Sequence, residues 1–429
     1  MTEKKTLRLG IAGLGNVGVG LVKLVQGQQE LRLAGNLEIS AVSARSKTRD
    51  RGIDVSGYGW EDDPVKLATS DDVDVFVELI GGSDGPARAS IEAALRAGKH
   101  VVTANKAVIA EHGALLAELA EENNVHLLFD AAVAGGVPIV RVLRDSLSSV
   151  DVQRVSGILN GTCNYILTEM LATGQEYTPV LADAQKLGYA EADPYLDVSG
   201  MDAAHKALIL SVIAFGAKPD FSKVRVSGVD QIDGLDIKFA DKMGYRIRLV
   251  TESTKSESGV RCSVAPALFK VDHPLAQISG PTNAIMVEGD PVGSVTMAGP
   301  GAGEGPTASA VMGDITRIFQ GPATPPFGTS VSELNAEMIQ SSGENTQSVW
   351  FIRTKLSDKS GALAELSKAF ALCEVSVDQM HQDSSAGEAA APIAIMTHPC
   401  TRKAAEAAAS MIEKLDACVD KPRVLRVEA

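Results

Sequence analysis

Residues 184–206, AQKLGYAEADPYLDVSGMDAAHK, gather the groups of this chain best placed to do chemistry. Glu191, Asp193, Asp197, Asp202 and Lys206 stand among Gly188, Gly200 and Pro194. A turn-rich loop bearing carboxylates feeds a helical pattern that carries Asp202 and Lys206 four residues apart. That spacing puts both side chains on one helical face. An acidic pocket with a lysine directed into it suits a small substrate with an ammonium group and a reacting oxygen. The plainer alternative is a solvated acidic loop with Asp193 and Asp202 as helix caps. Asp193-Pro194 favours a turn in either case.

Two further motifs lie upstream. Gly13-Leu-Gly15-Asn16-Val17-Gly18 follows an apolar run at 7–12 and opens an apolar helical pattern over 17–25. In that context a GxGxxG is a dinucleotide loop. The first glycine permits the tight turn, the second lets a pyrophosphate approach, and the third lets helix and strand pack. The helix start then offers free N–H groups and a positive partial charge. An NAD-preferring loop would carry Asp or Glu after the second strand. Here that place holds Ser43-Ala44-Arg45-Ser46-Lys47. Arg45 and Lys47 could hold a 2′-phosphate, which favours NADP while leaving NAD open; solvated loop charges are the alternative. Thr103-Ala-Asn-Lys106 follows another strand, which puts Lys106 on the edge where open α/β sheets bind ligands. From position alone it could equally be a surface lysine.

Alternating strands and helices have to position these groups. Strand patterns at 7–12, 37–43, 73–79, 100–103 and 125–130 alternate with helical patterns at 17–25, 86–97 and 114–123. That order predicts a doubly wound parallel sheet over 1–135. A second, α+β domain follows over 136–300, with helices expected near 139–146, 164–173, 178–187 and 201–216 and strand-like runs over 223–298. A glycine-rich turn at 298–304 precedes a helix near 301–320 that returns to the first domain. Pro, Ser, Gly and Thr dominate 321–348, which reads as a linker. Residues 349–429 run βαββαβ, a ferredoxin-like unit.

Composition narrows the class. A length of 429 residues allows two or three domains, and a formal charge of −14 opposes a nucleic-acid or anionic-membrane footprint. The five cysteines are scattered without metal-ligand spacing, as in a reduced, cytoplasmic protein. No signal peptide or apolar run of membrane-spanning length is evident.

The stretch at 184–206 is similar to the homoserine dehydrogenase signature, and GLGNVG, TANK and NGT fall in that family's order. The resemblance covers nearly the whole chain. It implies reversible NAD(P)H-dependent reduction of L-aspartate 4-semialdehyde to L-homoserine, in threonine and methionine biosynthesis. It makes Lys206 the catalytic lysine and leaves Lys106 as a second candidate donor. Asp202 and Glu191 hold substrate, and Asp197 belongs to the same network. Thr103, Lys106, Asn160, Gly161 and Gly303 face the cofactor. The segment FDAAVAGGVPIV matches one that binds a monovalent cation such as Na⁺. Asp130 stands there in place of the usual Glu, with carbonyls of Val133, Gly135 and Val137. The C-terminal unit resembles an ACT domain. Asp358, Gly361 and Leu363 sit at its effector turn, with threonine the implied effector and a homodimer or homotetramer the implied assembly. A unit that only dimerises is the plain alternative. So are a dehydrogenase of a larger amino acid, or a nucleotide-sensing regulator without chemistry. Deleting residues after about 348 is expected to leave catalysis and remove threonine sensitivity.

Overall fold

A computed structural model describes residues 5–27, 34–191, 193–339, 345, 347–383 and 389–428. The N-terminal sheet contains β1 (Thr6–Ala12), β2 (Asn36–Ser43), β3 (Gly59–Trp60), β4 (Val75–Glu78), β5 (His100–Thr103) and β6 (Leu127–Leu128). All neighbours are parallel, in the order β3-β2-β1-β4-β5-β6. Its inner strands are short Val-, Ile- and Leu-rich runs, as expected where helices cover both faces. The covering helices are α1 (Asn16–Gln26), α2 (Pro64–Thr69), α3 (Pro86–Arg96) and α4 (Lys106–Glu122). Strand order reverses between β1 and β4, which opens a ligand crevice at their carboxyl ends. β3 and α2 are too short to show a period, and the sequence pattern does not reveal them. α4 starts earlier than its apolar pattern suggests, because the Asn105 side chain accepts from Val108 N–H and caps it.

The second domain has α5 (Ile139–Arg141), β7 (Asp151–Ile158), α6 (Gly161–Thr173), α7 (Tyr177–Lys186), α8 (Tyr195–Val198) and α9 (Met201–Phe215). Then come β8 (Arg225–Val226), α10 (Gly234–Lys242), β9 (Tyr245–Ser256), β10 (Gly259–Lys270), β11 (Thr282–Asp290) and β12 (Gly293–Pro300). α10 corrects the expectation of strands alone over 223–298. Asp233 and Asp236 form a reciprocal capping box that starts it. The next helix, α11 (Glu304–Ile318), packs against the first domain. Its Ala308, Val311 and Ile315 share a core with Leu9, Ile11 and Val42.

The C-terminal unit comprises β13 (Gln347–Ser357), α12 (Ala362–Leu372), β14 (Val377–Gln382), β15 (Ala390–Thr397), β16 (Cys400–Thr401), α13 (Arg402–Glu413) and β17 (Cys418–Val427). Its strand order β17-β13-β15-β14 is the ferredoxin-like one. It is not a detached unit, however. β17 pairs in parallel with β10 at Ala267↔Arg426 and Leu268↔Val427. One sheet therefore runs β12-β11-β7-β9-β10-β17-β13-β15-β14 through both domains. Arg353 of β13 is fully buried between Asp236 (2.5 Å), Asp233 (2.5 Å) and Asp420 (3.1 Å), which ties the unit to α10.

The segment expected to be a linker also differs. Phe327, Leu334 and Met338 are buried, and Phe327 packs on Phe129 with ring centroids 5.5 Å apart. Ser330 Oγ donates to Glu121 at 2.6 Å, and Lys218 N–H donates to Ala336 C=O at 2.9 Å. Apolar residues spaced among turn formers hid this strap. Residues 340–344 and 346 of that reading lie outside the described residues.

Candidate active site

The centre of the site is assembled by two helix starts. Gly200, at φ +86°, turns the chain from α8 into α9 in a conformation that other residues rarely adopt. Asp202 in the first turn of α9 then sits beside Asn160, the N-cap of α6. Asn160 Oδ1 accepts from Cys163 N–H at 2.8 Å, and its Nδ2 donates to Asp202 Oδ2 at 3.0 Å. One side chain thereby starts α6 and orients the acid.

Both expected lysines converge on that acid. Lys206 Nζ lies 2.8 Å from Asp202 Oδ2 and also donates to Leu159 C=O at 2.8 Å. Lys106 Nζ lies 3.1 Å from the other oxygen, Oδ1. The Lys206 side chain is 11% exposed and that of Lys106 38%. Burial opposes ionisation of Asp202, but the two ammonium groups outweigh it and hold the carboxyl well below its ordinary range. Lys206 is shifted down, because burial and the neighbouring Lys106 charge exceed what Asp202 returns. Lys106 is shifted up, chiefly by Asp202. The same carboxylate thus leaves two lysines with opposite tendencies to release a proton.

Around them lies a cleft of about 860 Å³. Glu191 and Asp197 line it beside Asp202, and burial pushes the Asp197 carboxyl up. Asp197 also accepts weakly from Glu191 N–H at 3.4 Å, while Glu191 itself faces solvent. Asp193 Oδ1 accepts from Tyr195 N–H at 3.2 Å, the turn role expected of Asp-Pro.

The dinucleotide loop reaches the same cleft through Val17. Val17, Asn160, Gly161 and Gly303 all line the cleft. Gly13 has φ +104°, and a Cβ there would lie 2.3 Å from Leu79 C=O. A Cβ on Gly18 would lie 2.1 Å from Gly13 C=O, whereas Gly15 has no heavy atom within 4 Å of that position. Two glycines are therefore demanded by the fold, and the third leaves open space at the start of α1. This fits a pyrophosphate. Asn16 opens α1 directly after Gly15, its N-cap.

Arg45 and Lys47 are exposed beyond β2, and Arg45 has no hydrogen bond or ion pair among the described residues. Lys47 Nζ lies 5.9 Å from the Trp60 ring centroid. Arg51, which the sequence reading missed, donates to Ser46 C=O at 2.5 Å and Leu14 C=O at 3.3 Å. It staples the cationic loop to the glycine loop, and nothing in its spacing signals that.

Thr103 needs correcting as a residue facing the cofactor. It is fully buried, and its hydroxyl donates to Glu78 at 2.5 Å while accepting from Asn105 N–H at 2.9 Å. It supports the loop that carries Lys106. Asn283 was also missed. It lines the cleft and donates to Ile158 C=O at 2.8 Å, but a lone Asn inside a strand pattern carries no signature.

The segment resembling a cation site holds a buried ion pair. Asp130 is buried and its Oδ2 lies 2.9 Å from Arg141 Nη2. Asp130 N–H donates to buried Asp314 at 2.9 Å. Burial, then Asp130, pushes the Asp314 carboxyl up to about 8. The Val137 carbonyl accepts from Ile139 N–H at 2.8 Å. Carbonyls of Val133 and Gly135 accept no backbone N–H among the described residues. Asp130 Oδ1 and Asp314 Oδ1 are buried without a hydrogen-bond partner among the described residues, so these oxygens and the two free carbonyls are the donors that a monovalent cation would use.

At the far end of the molecule Asp358, Gly361 and Leu363 are all exposed at the turn into α12. Asp358 N–H donates to Ala389 C=O at 3.0 Å. They are not part of the cleft.

Comparison with known proteins accords with this geometry. Residues 13–130 match the family model "Homoserine dehydrogenase, NAD binding domain", and 138–316 match "Homoserine dehydrogenase". A homoserine dehydrogenase of Neisseria gonorrhoeae is 38% identical over 99% of both chains. One of Synechocystis is 36% identical over 98% of this chain and 99% of its own. The crystal structure of a homoserine dehydrogenase from Thiobacillus denitrificans superposes with a TM-score of 0.90 at 33% identity, covering 100% of this chain and 99% of the other. A hyperthermophilic archaeal homoserine dehydrogenase in complex with NADPH superposes at 0.63 and 27% identity, covering 73% of this chain and 98% of its own.

Proposed function

Because this chain belongs to the homoserine dehydrogenase family, an NAD(P)-dependent oxidoreductase family acting on a CH–OH group, we propose a specific division of labour within its cleft. Its substrate is L-aspartate 4-semialdehyde in one direction and L-homoserine in the other. NADPH is the preferred carrier. The bound nicotinamide supplies hydride to the aldehyde carbon. The observation that carries the reading is the Lys106–Asp202–Lys206 cluster, set in a cleft that Val17 of the glycine loop also lines.

As hydride arrives, negative charge develops on the carbonyl oxygen. A protonated lysine stabilises that oxygen and then delivers its proton to it. Lys206 suits this role because its lowered pKa makes it the readier acid. Lys106, held as an ammonium by Asp202, steadies the substrate oxygen or carboxylate. Glu191 and Asp197 receive the substrate ammonium on the opposite side. Asp202 keeps both lysines oriented through its two oxygens.

This assignment fixes a pH dependence. Reduction needs Lys206 protonated, so its rate falls as pH rises through the Lys206 pKa. Oxidation needs it neutral, so that rate climbs over the same interval. The midpoint should lie below the ordinary lysine value of about 10.4. Lys106→Met removes a repelling charge and should move the midpoint upward. If the midpoint instead vanishes in Lys106→Met, Lys106 is the donor. A flat oxidation profile from neutral to alkaline pH contradicts both assignments.

Arg45 and Lys47 flank the adenosine end and supply the NADPH preference. Arg45→Asp should weaken NADPH relative to NADH by about tenfold or more, the value of a charged hydrogen bond. Steady-state KM values for both cofactors test this, and an unmoved ratio removes Arg45 from the explanation. The C-terminal unit senses threonine at Asp358, Gly361 and Leu363, and the protein works as a homodimer or homotetramer in the cytoplasm. The first experiment is NADPH oxidation with aspartate semialdehyde, with and without threonine. Absence of turnover with that substrate ends the reading.

A further inference from the structure

The two lysines reach Asp202 from different domains and with different support. Lys206 is carried in the second turn of α9, whereas Lys106 is the first residue of α4 and depends on the turn before it. That turn is tied to one carboxyl, Glu78, at the end of β4.

Glu78 is inaccessible to solvent, and both its oxygens accept hydrogen bonds. Oε1 accepts from Ile80 N–H at 2.7 Å and from Gly81 N–H at 3.0 Å. Oε2 accepts from the hydroxyl of Thr103, its direct neighbour on β5, at 2.5 Å. The same hydroxyl accepts from Asn105 N–H at 2.9 Å, so its single proton is committed to Glu78. Asn105 then works at both ends of its amide. Its Oδ1 accepts from Val108 N–H at 3.2 Å and starts α4, while its Nδ2 donates to Gly82 C=O at 2.8 Å. Gly81 and Gly82 stand at φ +88° and +87°, a bend that other residues rarely adopt. A closed ring of hydrogen bonds thus joins the end of β4, the end of β5 and the start of α4. Lys106 leaves this ring one residue beyond Asn105. Glu78, Thr103 and Asn105 do not line the cleft, whereas Lys106 does. A long side chain on a fixed helix start has only its own rotamers left to settle, which preorganises its tip.

We propose that Glu78 is a positioning residue for the reduction: through Thr103 and Asn105 its carboxyl fixes the start of α4, and so the reach of Lys106 to Asp202 and substrate. The inference rests on the role given to Lys106 above.

The test uses the full-length protein. Thr103→Val replaces the hydroxyl with a methyl group of similar size and opens the ring at one bond. Its kcat/KM for aspartate semialdehyde should fall by about 10–10²-fold, the cost of a misplacement of about 1 Å, with most of the loss in KM. Thr103→Ser, which restores a hydroxyl, should recover most of that loss. In a Lys106→Met background Thr103→Val should add little, because effects that pass through one group do not add. Glu78→Gln keeps an acceptor for Ile80 and Gly81 but turns an amide donor toward Thr103, and should behave like Thr103→Val. The Lys106 ammonium gives a readout besides turnover, by NMR after reductive ¹³C-methylation. Asp202 is the chief cause of its raised pKa, so that pKa should drop in Thr103→Val. Unchanged kinetics in Thr103→Val overturn the proposal, as does an equal loss in the Lys106→Met background. If Glu78→Gln does not fold, Thr103→Val decides alone. If the wild-type protein does not turn over aspartate semialdehyde, the dehydrogenase reading fails, and an unmoved Lys106 signal in Thr103→Val separately removes Glu78 as the residue that holds it.

Discussion

Lys206→Met should lower kcat for aspartate semialdehyde reduction by about 10²–10⁴-fold, the range for losing a positioned general acid. NADPH affinity should hardly change, because Lys206 lies against Asp202 and Leu159 C=O rather than on the glycine loop. Methionine keeps much of the apolar stem, so α9 has little reason to unfold. Asp202 keeps Lys106 at 3.1 Å and Asn160 at 3.0 Å and is not left as a bare buried charge. The loss therefore reads as chemistry rather than as collapse. Lys106→Met, at the more exposed member of the pair, should raise KM for the aldehyde more than it lowers kcat. Stopped-flow NADPH binding and steady-state kinetics on both variants check this. Turnover unchanged in Lys206→Met would remove that lysine from the mechanism.

Arg353→Met should destabilise the protein by about 1.5–3 kcal/mol, the range for losing hydrogen bonds between charged groups, because Asp236 keeps Arg423 Nε at 3.6 Å. The affected partner is Asp236, whose side chain is inaccessible to solvent. Burial already pushes that carboxyl up even with Arg353 beside it. The expected readouts are a lower thermal midpoint and faster amide exchange in both α10 and β13. Exchange that rises in β13 alone would mean that the cluster does not couple the two domains. The variant also bears on how the C-terminal unit is joined to the cleft. α10 packs on α6, and α6 begins at Asn160, which touches Asp202. The C-terminal unit is thus joined by a continuous packed route to the acid that holds both lysines.

Much of this protein is legible in its sequence, for identifiable reasons. The parallel sheet is legible because each buried strand is a short β-branched run closed by turn residues. The glycine loop is legible because Gly13 and Gly18 admit no Cβ, so sterics write them into the chain. Convergence of Asp202 and Lys206 follows from helical spacing, but nothing in spacing brings Lys106 to the same carboxylate from another domain. Arg51 and Asn283 act through backbone carbonyls that any sequence possesses, and they stay invisible for that reason. The pairing of β17 with β10 is hidden too, because parallel pairing between distant segments leaves no periodic mark.

That pairing has a consequence for how the molecule is made. β10 must find its neighbour in residues 418–427, which leave the ribosome long after β10 itself. Until then β10 is covered by β8 at Ser263 and Val264 but open at Ala267 and Leu268, and open edges recruit other chains. Nascent chains of this protein are thus most vulnerable late in synthesis, when the enzyme is nearly complete. Removing residues from 349 onward would make that transient state permanent. The shortened chain keeps β9 and β8 on β10, so its sheet should stand while its tendency to pair with itself rises, and the C-terminal unit serves the catalytic sheet as a cover.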